Sequence, residues 1–390
     1  GGDCFALVWV EREKKLYGLN ASGVSPAALS AALVRERGFG EMPKEGWLPT
    51  MVPGAPGGWA ELNRRFGTRP LEELFAPAAS YAREGVAVPV NVAVQWALDG
   101  PRIGRAMERD PAPHRPWWER MMKADGTPYR AGEIFRWPEY ADTLEELAAT
   151  SCESFYRGSL MERMVSFSRE TGGFFQERDL QDYRPEWVEP ITADYKGYTV
   201  CEIPPNGQGI AALMALNILK EFAFPEKDCA ETYHRQLEAM KMAFADAFHY
   251  VTDPRFMKLD YHQLLEPDYG ARRAAEMGET ARIYSHAVPP KSGTVYLCCA
   301  DGEGNMVSFI QSNYMGFGSG VVVRGTGISL QNRGHDFSLS PEDINALAPG
   351  KRSYHTIIPG FLMRSGTPVG PFGVMGGYMQ PQGHLQVVMN

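Results

Sequence analysis

The sequence predicts a mixed α+β fold, and three observations carry that expectation. Short apolar runs come in pairs, Gly2 to Val10 with Leu16 to Asn20 and Val295 to Ala300 with Met306 to Gln311, each joined by a charged or glycine-rich turn that reads as a hairpin. Between the pairs lie long stretches in which apolar residues recur every three or four positions, the mark of helices with one buried face. At 390 residues the chain is long enough to bury a large core, as one extended domain or as two smaller ones.

Taken in order, Gly2 to Val10 reads as an apolar strand, Glu11 to Lys15 as a charged turn and Leu16 to Asn20 as the returning strand. Pro26 followed by Ala27 to Arg35 reads as a helix start. Trp47 to Gly58, rich in proline and glycine, reads as a long structured loop, with helices over Ala60 to Phe66 and Leu71 to Glu84. The second of these carries Leu71, Leu74, Phe75, Ala78, Ala79 and Ala82 on one face and ends at Gly85. The charged, tryptophan-rich stretch from Pro101 to Tyr140, with His114, reads as surface helices and loops. Amphipathic helices are expected over Thr143 to Arg157 and Leu160 to Arg169, and a central strand over Tyr198 to Ile203. Pro204-Pro205-Asn206-Gly207-Gln208-Gly209 then turns into a helix over Ile210 to Phe222; it lacks the lysine of a phosphate loop and reads as a tight packing turn near the site. Ala230 to Val251 is the longest expected helix, and Leu259 to Lys291 reads as an exposed, polar approach to the next strand.

Composition excludes several functions. A formal net charge of −8 gives no electrostatic support for binding nucleic acid or an anionic membrane. No apolar run approaches the roughly 18 residues a membrane span needs. The six cysteines are scattered without CxxC spacing and read as small buried hydrophobes in a reducing compartment, and the eight histidines form no ligand pair, so neither a metal nor a cofactor is expected. Gly1 is no initiator methionine and Asn390 falls inside an apolar pattern, so both ends are expected to be cut from a longer protein, with a signal peptide left open.

Ordered motifs then carry a resemblance. Gly1-Gly2-Asp3-Cys4-Phe5-Ala6-Leu7-Val8, Val52-Pro53-Gly54-Ala55-Pro56-Gly57-Gly58-Trp59, Pro204 to Gly209, Thr294 with Asp301, Glu303, Gly304 and Asn305, Gly350-Lys351-Arg352, and Gly376-Gly377 follow one another along the chain. In this order they resemble the gamma-glutamyltranspeptidase family of N-terminal nucleophile hydrolases over almost the whole length. The resemblance implies a four-layer αββα sandwich cut between Gly293 and Thr294. Residues 1–293 would be the large-subunit part and 294–390 the small-subunit part of one domain, a heterodimer of self-cleaved subunits, with a dimer of these left open. Thr294 would hold a hydroxyl nucleophile and, once freed, an α-amine whose pKa of about 7.7 to 8.0 suits a general base.

Further site residues follow from the same resemblance. Ser312 stands where a hydroxyl bonds the nucleophile, and Gly376 and Gly377 match the pair whose N–H groups form the oxyanion hole. Asp336 matches an aspartate that holds the substrate's amino group, while Tyr314, Arg333, His355 and Thr356 stand at other substrate-binding positions. Ser22 replaces the arginine that pairs with the α-carboxylate in gamma-glutamyl enzymes, and a neutral serine makes no bidentate ion pair. Arg333, if turned inward, would bring a cation from another direction; if turned outward it would be a solvated surface arginine. With Met379-Gln380-Pro381-Gln382-Gly383-His384, these exchanges resemble the branch of oxamate amidohydrolases and of gamma-glutamyltransferase-like or acylase-like enzymes. The expected activity is hydrolysis of a small carboxylate-bearing, oxamate-like amide in the cytoplasm. Action on glutathione or another gamma-glutamyl amide is the second reading, and an unprocessed non-catalytic scaffold is the alternative of another class.

Overall fold

The computed structural model describes residues 1–224, 226–282 and 293–390. Strands Asp3–Val10 and Lys15–Ala21 pair antiparallel around a single 3-10 turn, Glu11–Glu13. Every residue of the first strand is buried. Its period of two sends Phe5, Leu7 and Trp9 to one face and Cys4, Ala6, Val8 and Val10 to the other, and both faces are covered. The first sheet runs in the order Glu186–Val188, Lys15–Ala21, Asp3–Val10, Met306–Tyr314, Gly293–Ala300, all neighbours antiparallel. Segments far apart in sequence thus share one sheet. The second sheet runs Thr367–Phe372, Gly360–Arg364, Tyr198–Glu202, Ile191–Tyr195.

Between the sheets, Phe5, Leu7, Trp9 and Ile310 meet Cys201, Ile203, Ile357 and Phe361. Helix Ala55–Phe66 covers the outer face of the first sheet through Ala55, Trp59 and Leu62. Helix Gly209–Leu219, buried along its whole length, and the long helix Ala230–Tyr250 pack with Ile191, Ala193, Tyr195 and Val200 outside the second. The layers are helix, sheet, sheet, helix, the α+β sandwich expected.

Several elements depart from expectation. The helix expected from Ala27 begins at Ala31, where the Ser30 side chain accepts from the Leu33 N–H and Pro26 is left in the preceding turn. Helix Ala55–Phe66 starts inside the expected loop, with Pro56 in its first turn, where a missing N–H costs nothing. In helix Leu71–Glu84, Leu74 and Ala78 are exposed, so only part of the expected apolar face is covered. The stretch 101–140 is not mere surface. Trp117 and Trp137 join Trp96 and Ile103 in a buried cluster, and His114 is also buried, with Nδ1 3.0 Å from the Gly320 carbonyl. The helix expected over 143–157 is split into Pro138–Ala149 and Glu153–Arg157, because Ser151 and Cys152 take positive φ. Within 259–282 a helix, Pro267–Ala275, interrupts the expected loop, and residues 283–291 of that approach lie outside the described residues. Cys4, Cys152 and Cys201 are buried, but Cys298 and Cys299 are exposed because their strand is the sheet edge. Among the described residues no helix is long and apolar enough to cross a membrane.

Candidate active site

The site grows from a bulge at the head of the edge strand. Gly293 pairs with Tyr314 and Thr294 with Ser312, which leaves Asn313 as the extra residue on the return strand. Ser312 also pairs with Asp3 on its other side. Directly paired residues share a face. Thr294, Ser312 and Asp3 therefore form one row across the sheet, on the side of Phe5 and Ile310 that faces the second sheet. The Thr294 hydroxyl donates to Ser312 Oγ at 3.2 Å, and the Tyr314 N–H donates to the same oxygen at 2.8 Å.

Tyr314, at φ +76° just past the bulge, is fully buried. Its hydroxyl donates to Asp336 Oδ1 at 2.6 Å, and the Arg333 guanidinium carbon lies 4.1 Å from the centre of its ring. Burial and the neighbouring Asp336 hold the Tyr314 hydroxyl above its ordinary pKa, so it stays a donor. Burial likewise pushes the Asp336 carboxyl up, opposed by Arg333 and Tyr314. Arg333 and Asp336 sit in one short 3-10 turn, Arg333–Asp336.

Arg333 answers the question the sequence left open, because it is 1% exposed. Its Nη1 donates to Thr356 Oγ1 at 2.7 Å and reaches Asp336 Oδ2 at 3.5 Å. Its Nε and Nη2 have no hydrogen-bond partner among the described residues. A buried donor left without an acceptor costs about 1–3 kcal/mol, more when charged. Two such N–H groups on one guanidinium can receive both oxygens of a carboxylate.

His355 does not join this group as a donor. Its Nδ1 accepts from the Ile357 N–H at 3.3 Å, which puts the ring proton on Nε2, 3.1 Å from Asp3 Oδ2. Burial and the nearby Arg333 lower its pKa to about 4. Both nitrogens are used within the protein, so the expected contact of His355 with a substrate gives way to a contact with Asp3. Ser22 is also committed, donating to Asn20 Oδ1 at 2.7 Å.

Asp3 is the residue that sequence reasoning missed. Fully buried, its Oδ1 accepts from Gly23 N–H at 3.2 Å, Gly54 N–H at 3.0 Å and Gln331 Nε2 at 3.0 Å, while Oδ2 faces His355. One carboxylate thus ties four segments together beside the Thr294 row. The available signal was a charged residue at the head of an otherwise apolar strand.

Gly376 and Gly377 follow strand Thr367–Phe372 and open the turn into helix Gln380–Met389. Their φ values of +142° and +60° favour glycine. The Gln208 amide donates to the Gly377 carbonyl at 2.8 Å and to the Thr356 carbonyl at 2.6 Å, joining this turn to the Arg333 group. Thr294, Ser312 and Asp3 also border a cavity of about 500 Å³ with Trp59 and Tyr140, which Arg333, Asp336 and Thr356 do not line. Among the described residues no group of three or more His, Cys, Asp or Glu side chains could hold a metal ion.

The sandwich is that of the N-terminal nucleophile hydrolases, a class of enzymes. The family model of gamma-glutamyltranspeptidase matches residues 1–390, and the chain belongs to that family. It is 34% identical to the glutathione hydrolase-like YwrD proenzyme of Bacillus subtilis, over 100% of this chain and 72% of that protein. To the oxamate amidohydrolase proenzyme of Klebsiella pneumoniae it is 35% identical, over 98% of this chain and 71% of that protein. Among solved structures, cephalosporin acylase from Bacillus halodurans is 52% identical with a TM-score of 0.95, covering 100% of this chain and 71% of the other.

Proposed function

We propose that the chain is the precursor of an N-terminal-threonine amidohydrolase that cuts itself between Gly293 and Thr294 and then hydrolyses a small amide whose acyl group bears a carboxylate. The observation that carries the substrate class is the buried Arg333 guanidinium with two N–H groups left over. Thr356 Oγ1 and the ring of Tyr314 hold it in place.

In self-cleavage, Thr294 Oγ attacks the Gly293 carbonyl. A C–O bond forms, the Gly293–Thr294 C–N bond breaks, and the hydroxyl proton passes to the departing nitrogen. Water then hydrolyses the ester, leaving Gly293 as a carboxylate and Thr294 with its hydroxyl restored. The bulge at this bond and the absence of a Cβ on Gly293 support the backbone distortion required. The freed α-amine then serves as the base as Thr294 Oγ attacks the substrate amide, with the Ser312 hydroxyl beside it. The Gly376 and Gly377 N–H groups receive the oxyanion, the substrate C–N bond breaks as the α-amine returns the proton to the departing amine, and water then hydrolyses the acyl ester to restore the Thr294 hydroxyl. The mature protein is a heterodimer of the 1–293 and 294–390 parts, a reading supported by the sheet they share. The six free cysteines support a reducing, cytoplasmic setting.

A free carboxylate on the acyl group, without an α-amine, fits better than a gamma-glutamyl group, because the Tyr314 hydroxyl and Arg333 already occupy both oxygens of Asp336. The names of an oxamate amidohydrolase and an acylase among the relatives support amide hydrolysis. Two measurements test the reading. Denaturing gel electrophoresis of full-length protein beside Thr294→Ala is expected to show two fragments in the wild type alone; one band in both sinks the proposal. Ammonia release from oxamate and hydrolysis of a glutaryl anilide are expected to exceed hydrolysis of a gamma-glutamyl anilide, and the reverse order overturns the substrate class.

A further inference from the structure

A second buried pair has no part in the chemistry above. Glu202, the last residue of strand Tyr198–Glu202, and His384, in helix Gln380–Met389, are 0% and 1% exposed, with Oε1 and Nδ1 2.5 Å apart. Glu202 Oε2 and His384 Nε2 have no partner among the described residues. The carboxylate lies against the first residue of helix Gly209–Leu219, where a Cβ on Gly209 would stand 2.8 Å from Oε2. A helix N-terminus favours an anion there.

The environment of the pair connects it to the glycine turn. One turn before His384, Gln380 Oε1 accepts from the Ile358 N–H at 3.0 Å. A Cβ on Gly383, next to His384, would stand 2.5 Å from the Val374 side chain, so this helix and the approach to Gly376 are in tight contact. From the opposite side Gln208, the residue before helix Gly209–Leu219, holds the Gly377 carbonyl. The Phe372 ring, at the end of the preceding strand, lies 4.8 Å from the His384 ring. The Glu202–His384 contact is thus the polar link that joins the helix after the turn to the strand before Gln208.

We propose that Glu202 and His384 are positioning residues that set the orientation of the Gly376 and Gly377 N–H groups. The inference rests on the Thr294 and glycine-turn part of the reading above. It does not depend on Arg333. A turn held from both ends keeps its donors aimed when charge develops on a bound carbonyl. Released at one end, it lets them drift, and a misplacement of about 1 Å costs about 100-fold in rate.

The test uses the self-cleaved enzyme and p-nitrophenyl acetate, an activated ester without a carboxylate, so that turnover is independent of the Arg333 site. His384→Leu fills the space without a donor, and His384→Asn returns an N–H near the Nδ1 position. Expected is a fall in kcat of about tenfold or more for His384→Leu, with KM within about twofold of wild type, and recovery of most of that loss in His384→Asn. Equal kcat in all three proteins overturns the proposal, as does His384→Asn falling as far as His384→Leu. Should His384→Leu not fold, Glu202→Gln, nearly isosteric, carries the same test: a lowered kcat at constant KM supports the pair, and unchanged constants overturn it. A wild type no faster than Thr294→Ala would instead overturn the nucleophile reading.

Discussion

Arg333 lies over the ring of Tyr314, 4.1 Å from its centre, while the hydroxyl of that ring donates to Asp336 at 2.6 Å. Cation, ring and carboxylate share one buried space. The cation still has N–H groups to spare, whereas the carboxylate has both oxygens engaged. The selectivity expected of the site follows from that imbalance.

Replacing Arg333 by Met removes the charge and keeps a long apolar stem. For a carboxylate-bearing amide, kcat/KM is expected to fall about 100-fold or more, as for loss of a charge-assisted bidentate pair. For an amide without a carboxylate the loss is expected to be much smaller. Steady-state kinetics on a glutaryl and an acetyl anilide measure the difference, and equal losses on both would show that Arg333 does not contact the acyl group.

Tyr314→Phe frees Asp336 Oδ1. Loss of this buried hydrogen bond is expected to destabilise the protein by about 1–3 kcal/mol in denaturant unfolding. The ratio of gamma-glutamyl to glutaryl anilide turnover is expected to rise, since Asp336 regains an oxygen for an ammonium group. A fixed ratio would remove Asp336 from substrate selection.

Ser312→Ala takes the hydroxyl from beside Thr294. Both the appearance of the two fragments and turnover by the mature enzyme are expected to slow by about 100-fold, at the lower end of the range for a lost proton-transfer partner. Ser312→Thr is expected to keep both rates near wild type. Time courses on denaturing gels and single-turnover assays give the two rates separately.

His355 makes stability depend on pH. Its pKa is lowered from an ordinary 6.5 to about 4 in the folded protein. Between those values the unfolded chain binds a proton that the native one does not, so its contribution is fully present above pH 6.5 and is lost as pH falls towards 4. The loss is expected to be about 3 kcal/mol. Denaturant unfolding of wild type and His355→Gln across this window measures it, and the variant is expected to lack most of the slope. Parallel curves would place the pH dependence elsewhere.

Gly376→Ala puts a Cβ at φ +142°, within 2.8 Å of the Met379 side chain. A fall in kcat of about 100- to 1,000-fold is expected, as for a lost oxyanion donor. KM is expected to change little, and circular dichroism is expected to stay native. A KM effect alone would assign the turn to binding.

Two hairpins and the long helix Ala230–Tyr250 follow from local periodicity and turn composition, whereas the pairing of Thr294 with Ser312 was implied by the family resemblance. The tryptophan-rich stretch around Trp117 followed from neither, since charge and aromatic content cannot tell a surface helix from one that another segment covers.

The sequence by itself determined which residues carry hydroxyls, charges and glycines, and in what order strands and helices appear. Only the tertiary structure decided that Arg333 turns inward, that His355 serves Asp3 across 352 positions and that Glu202 meets His384 across 182. The reason is physical. A side chain's partner depends on how two sheets close on each other, and burial is a property of that closure that neighbours in the chain do not encode.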